Sequence, residues 1–128
     1  MSEQLANKFI EALRTLETDR DVEPLAALYA DEAEIGNVIA PGRFHGPDGA
    51  RQFWTDYRGT FDKAESKFRS VIAGGGGAAL ERTTQGTSFE GAPFGYSGVT
   101  ILEIDGDKVI RSSAYFDPSA LGRQIKGS

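Results

Sequence analysis

The chain contains no cysteine and a single histidine, His45. The first absence excludes disulfides, thiolate nucleophiles and zinc–sulfur sites. The second excludes a two-histidine metal site and any histidine pair acting as acid and base within one chain. No stretch approaches the ~18 consecutive apolar residues of a membrane helix. The opening Met-Ser-Glu-Gln lacks the basic and apolar regions of a secretory signal, so the cytoplasm is the expected compartment. Positive charge is also scarce. Fourteen Lys and Arg stand against nineteen Asp and Glu, for a net charge of −5. Without a basic footprint, neither nucleic acid nor a membrane is an expected partner. The rest is ordinary: 39% hydrophobic and 26% charged residues in 128, enough for one core in one domain spanning residues 1–128.

The hydrophobic pattern changes character midway. Leu5, Phe9, Leu13 and Leu16 recur at helical spacing, predicting a helix over 2–16. A second, shorter helix follows, with Asp21 as cap, Pro24 in its first turn and Val22, Leu25, Leu28 and Tyr29 on its buried face. Residues 33–39 read as a strand. Pro47 opens a third helix to about Phe61, with Ala50, Phe53, Trp54, Tyr57 and Phe61 on one side. Beyond Asp62, β-branched and aromatic residues dominate. Four strands are expected over 65–73, 78–89, 96–104 and 108–116, the last two joined by the tight turn Asp105-Gly106-Asp107. Asp117-Pro118 reads as the cap of a short final helix through Leu121. This order describes one α+β domain built on an antiparallel sheet.

Several motifs fail on physical grounds. Gly74 to Ala79 matches a degenerate dinucleotide fingerprint, but strand-like residues follow it instead of the helix whose N-terminus would meet a pyrophosphate. Gly95-Tyr96-Ser97-Gly98 falls short of a nucleophile elbow, because Val99 stands where glycine is needed. His45 sits beside Gly46-Pro47 with nothing to place it in a triad. Asp31, Glu32 and Glu34 read as solvated, Asp105 and Asp107 as turn residues, and Asp117 as a cap. No cofactor or metal motif is present.

Four segments, residues 21–33, 44–54, 98–109 and 110–124, resemble the nuclear transport factor 2-like superfamily and within it the SnoaL-like group, relatives of ketosteroid isomerases and limonene epoxide hydrolases. The resemblance implies a cystatin-like α+β barrel: a curved antiparallel sheet wrapped as a cone around three N-terminal helices. It implies a pocket for a small, mostly apolar molecule at the open end and a homodimer through the opposite sheet face. The isomerase base position falls on Asn37, its oxyanion positions on Phe9 or Leu13 and on Thr100; none of these can do that work. Of the epoxide hydrolase set, Arg82 is retained, while the two acids become Thr84 and Ala114. The acid that SnoaL-type cyclases need near the last strand has only Asp117 as a candidate.

The register implied by the resemblance turns Asn37, Arg82, Thr84, Thr100, Ser112, Ala114 and Phe116 toward the cone. Val99, Ile101, Arg111, Ser113 and Tyr115 then face a dimer partner. Trp54 and Tyr57, from the third helix, close the pocket or fill the core. The candidate ligand-pocket residues are therefore Asn37, Trp54, Tyr57, Arg82, Thr84, Thr100, Ser112 and Phe116. Arg82 is the informative one: an inward guanidinium without its expected carboxylates calls for another negative partner, such as a ligand carboxylate or carbonyl. The leading expectation is a small-molecule-binding protein. The alternatives are a non-catalytic interaction module, or an isomerase, cyclase or dehydratase using a non-standard acid.

Overall fold

The computed structural model of the chain describes residues 2–119. Helix α1 (Ser2–Asp19) buries Leu5, Phe9, Leu13 and Leu16, as their spacing requires. Helix α2 (Glu23–Ala26) is a single turn with Pro24 near its start. It is shorter than the sequence suggests. Leu28 N–H returns to Leu25 O at 3.1 Å, and Tyr29 opens strand β1 (Tyr29–Asn37) instead of extending the helix. A bulge between Tyr29 and Glu34 disrupts the two-residue alternation, which hides the first half of this strand from pattern reading. β1 ends two residues before Ile39 because Asn37 Oδ1 accepts the N–H groups of Ile39 and Ala40, each at 2.9 Å, folding the chain into a turn.

Strand β2 (Phe44–His45) adds a short edge, and helix α3 (Gly46–Gly59) follows with Ala50, Phe53 and Trp54 buried. Phe61 lies past the end of α3 but remains in the core. Strands β3 (Lys63–Gly74), β4 (Gly77–Thr87), β5 (Pro93–Asp105) and β6 (Lys108–Phe116) complete the sheet. The four-glycine stretch is the β3–β4 hairpin turn, with Gly75 and Gly76 at φ of 56° and 90°. Strand on both sides leaves no helix N-terminus there for a phosphate. β4 stops at Thr87, short of the expected Phe89, which stands exposed in the next turn.

The sheet is curved and open, in the order β2-β1-β6-β5-β4-β3. Four of its ladders are antiparallel, as expected, and β1–β6 is parallel. A parallel neighbour needs a long crossover, and everything from β2 to β5 supplies it. On β4, Ala78, Leu80, Arg82 and Thr84 are buried while Glu81 and Gln85 are exposed. The inward register of Arg82 is thereby established. Asp117 Oδ1 accepts Ser119 N–H at 3.0 Å, the beginning of the expected cap; Leu121 lies outside the described residues. Among the described residues no helix is long and apolar enough to cross a membrane.

Candidate functional site

A cavity of about 400 Å³ lies between α3 and the inner face of the sheet. Helix α3 contributes Phe53, Trp54, Asp56 and Tyr57, followed by Thr60 and Phe61; the sheet contributes Asn37, Phe44, Arg82, Tyr96, Ala114 and Phe116. The rings form a nearly continuous belt. Phe44 meets Phe53 edge-on at 5.6 Å, Phe53 meets Trp54 at 5.0 Å, Trp54 meets Tyr57 at 5.5 Å and Tyr57 meets Phe61 at 5.9 Å. Tyr96 and Phe116 pack at 5.6 Å on the sheet side. Arg82, Gly98 and Phe116 are lateral neighbours on adjacent strands. A Cβ on Gly98 would strike the Tyr115 carbonyl, so the middle of this row carries no side chain.

Arg82 is 5% exposed. Its guanidinium carbon lies 5.5 Å from the Tyr57 ring centroid, and Nη1 donates a long 3.4 Å bond to Ser66 Oγ. The ion pairs among the described residues are Arg14–Glu11, Arg51–Glu23, Arg51–Asp48 and Arg111–Glu103, which leaves Arg82 without a direct one. Thr100 Oγ1 is the buried side-chain polar atom left without a partner among the described residues. The remaining guanidinium N–H groups therefore keep contact with open space, and the open space that Arg82 lines is this cavity.

Behind Arg82 sits Glu17, buried on α1. Its Oε1 accepts Ser66 N–H at 2.8 Å; its Oε2 accepts Ser66 Oγ–H at 2.6 Å and Tyr57 O–H at 2.8 Å. With the Ser66 proton committed to Glu17, Thr84 donates to Ser66 Oγ across 2.8 Å. Burial pushes the Tyr57 pKa up, against a smaller opposing effect of Arg82, so the neutral phenol is the donor. A second buried chain runs from Trp54 Nε1–H to Tyr29 Oη at 3.0 Å and on to Ser112 Oγ at 2.8 Å. Burial raises the Tyr29 pKa to about 12.

The cavity wall includes Asn37, Trp54, Tyr57, Arg82 and Phe116 from the sequence-derived set. Thr84, Thr100 and Ser112 are buried on inward-facing positions, set back from this cavity's wall. Thr84 is engaged by Ser66 and Ser112 by Tyr29, while Thr100 is enclosed between Leu80 and Ala114 of the flanking strands. His45 is exposed at the start of α3 and off the wall; Asp31, Glu32 and Glu34 are exposed as expected. Glu17, Ser66, Phe44 and Tyr96 were not singled out from sequence. Glu17 carried a signal: it follows Leu13 by four residues and so falls on the buried stripe of α1.

The Asn37 carbonyl oxygen is spent on its turn, Phe9 and Leu13 are buried without a polar atom, and Thr84 and Ala114 bring no acid. Among the described residues no three His, Asp or Glu side chains gather as metal ligands. What remains is an aromatic cavity with one buried cation on its wall.

A family model described as the SnoaL-like domain matches residues 6–112. No curated protein matches the chain in sequence. Among solved structures, a hypothetical protein with a ketosteroid isomerase-like fold from Catenulispora acidiphila, in complex with trimethylamine, superposes with a TM-score of 0.81 at 14% identity, covering 98% of this chain and 95% of that one. TerC, co-crystallised with polyporic acid, gives 0.80 at 18% identity, covering 95% and 98%. An epoxide hydrolase from M. tuberculosis resembling limonene epoxide hydrolase gives 0.73 at 18% identity, covering 97% and 88%. At these identities the structural likeness establishes the fold.

Proposed function

The chain belongs to the SnoaL-like domain family, and from that premise we propose that it binds a compact aromatic or otherwise apolar molecule carrying a carboxylate, enolate or carbonyl oxygen, with Arg82 as the charge partner. The observation that carries this reading is Arg82 itself: 5% exposed, on the wall of an aromatic cavity, with no directly paired carboxylate among the described residues. The cavity volume of about 400 Å³ falls in the range of small-molecule sites. Trp54, Tyr57 and Phe116 line this space without filling it, which favours ligand binding over a purely interacting module. A protein of similar structure, TerC, was co-crystallised with polyporic acid, which supports this reading.

Titration of 2-naphthoate and its neutral analogue 2-naphthamide against the protein and Arg82→Ala tests the reading. A charge-assisted hydrogen bond contributes about 1.5–3 kcal/mol, so the acid loses roughly 10- to 150-fold in affinity and the amide much less. Equal losses for both, or no preference for the acid in the unmodified protein, overturn it. We also propose that two copies pair through the outer sheet face, where Val99, Ile101 and the half-exposed Tyr115 lie beside the Arg111–Glu103 ion pair. Sedimentation at micromolar concentration is expected to give twice the 13.8 kDa chain mass; a 13.8 kDa species alone contradicts it.

A further inference from the structure

We propose that Asp56 is a specificity-determining residue at the mouth of the cavity and that the ligand has two polar ends: an acidic or carbonyl oxygen for Arg82 and, opposite it, a hydroxyl or ammonium donor for Asp56. The proposal rests on the reading of Arg82 as the ligand's partner and adds the second half of the ligand's chemistry. Asp56 is the one carboxylate on the cavity wall among the described residues. It is also exposed, and a wall residue that reaches solvent stands at the opening. Ile39, Thr60 and Pro118 are exposed wall residues too, so they share the mouth with it. Arg82, only 5% exposed, marks the inner end.

Helix geometry accounts for the position. Phe53, Asp56 and Thr60 follow one another at i, i+3 and i+7, a single line along α3 beside that of Trp54 and Tyr57. Thr60 Oγ1 donates to the main-chain oxygen of Asp56 at 2.8 Å, and no ion pair or hydrogen bond among the described residues engages the Asp56 carboxylate. The other mouth residues, Ile39, Thr60 and Pro118, offer it no cation. Tyr57, which follows Asp56 in the chain, holds the Arg82 guanidinium carbon 5.5 Å from its ring centroid. The wall thus runs from a guanidinium inside, past aromatic rings, to a carboxylate at the mouth. Opposite charges at the two ends orient a dipolar molecule, which enters oxygen first and keeps its donor at the rim. A second anionic group at that end meets a like charge instead, so the same residue selects against diacids.

Calorimetric titration with 2-naphthoate, 6-hydroxy-2-naphthoate and 2,6-naphthalenedicarboxylate tests this. In the unmodified protein the hydroxy acid is expected to bind roughly three- to tenfold more tightly than 2-naphthoate, and the diacid about threefold or more weakly. Asp56→Ala brings all three within about twofold of one another, and Asp56→Lys makes the diacid the tightest. Both variants place a good helix former at an exposed position of α3, so the fold is retained. A hydroxy-acid preference that survives Asp56→Ala overturns the proposal, as does a lack of discrimination in the unmodified protein. So does a diacid that binds the unmodified protein best, the result expected of the polar cleft between α1 and β3, where Arg14 and Lys67 stand and Asp56 does not. Equal losses of 2-naphthoate and 2-naphthamide in Arg82→Ala overturn the ligand reading beneath it. That result is separable, because the three acids share the carboxylate for Arg82 and differ only at the mouth. Failure of all three to bind overturns both.

Discussion

Trp54→Ala is expected to lower the unfolding free energy by about 3–5 kcal/mol, the range for removing a large aromatic side chain from a packed core. Trp54 is 1% exposed although one side of it borders the cavity. Its ring packs edge-on against Phe9 at 5.7 Å, Phe53 at 5.0 Å and Tyr57 at 5.5 Å, joining α1 to α3. Its indole N–H satisfies the buried Tyr29 hydroxyl. Trp54→Phe keeps most of the packing and loses chiefly that bond, for about 1–2 kcal/mol. Urea unfolding followed by circular dichroism reads both. A loss below about 1 kcal/mol for the alanine variant would mean that the ring serves the cavity alone.

Arg58→Met is expected to cost a similar amount, about 3–5 kcal/mol, by a different route. Arg58 is buried near the end of α3 and spends its fork on three main-chain carbonyls: Nε on Glu17 O at 3.0 Å, Nη1 on Phe61 O at 2.9 Å and Nη2 on Asp62 O at 3.1 Å. It therefore ties the last turn of α1 to the segment that leads into β3. Desolvation lowers its pKa, but arginine remains charged at neutral pH. Methionine fills the volume and takes the guanidinium donors from the Glu17 and Phe61 carbonyls, while Asp62 O keeps Arg20 Nη2 at 3.0 Å. Arg58→Lys keeps the charge but cannot reach three acceptors at once, so it recovers less than half of the loss. Full recovery by lysine would show that charge, not the planar fork, holds the junction.

Elements whose information is local were the legible ones. The Leu5–Phe9–Leu13–Leu16 stripe, the aromatic face of α3 and the Asp105-Gly106-Asp107 turn each state their geometry within a few residues. The inward register of Arg82 came from the resemblance and agrees with the burial alternation along β4. The boundary between α2 and β1 was hidden because the bulge after Tyr29 erases the alternation that marks a strand. The parallel pairing of β1 with β6 joins residues some eighty positions apart, a contact no local pattern carries. The site was half legible for the same reason. Trp54, Tyr57, Phe116 and Arg82 could be placed by periodicity and resemblance, whereas the roles of Thr84 and Ser112 depended on Ser66 and Tyr29, partners distant in sequence. Glu17 was within reach, being a carboxylate on a buried stripe.

The most direct test of the central claim is a crystal structure of the protein with 2-naphthoate bound. The account predicts the naphthalene ring among Trp54, Tyr57 and Phe116, with a carboxylate oxygen about 2.7–2.9 Å from a guanidinium nitrogen of Arg82. Naphthoate seated on the outer sheet face or in the polar cleft beside Arg14 and Lys67, with Arg82 turned from the cavity into a direct ion pair with Glu17, would contradict it.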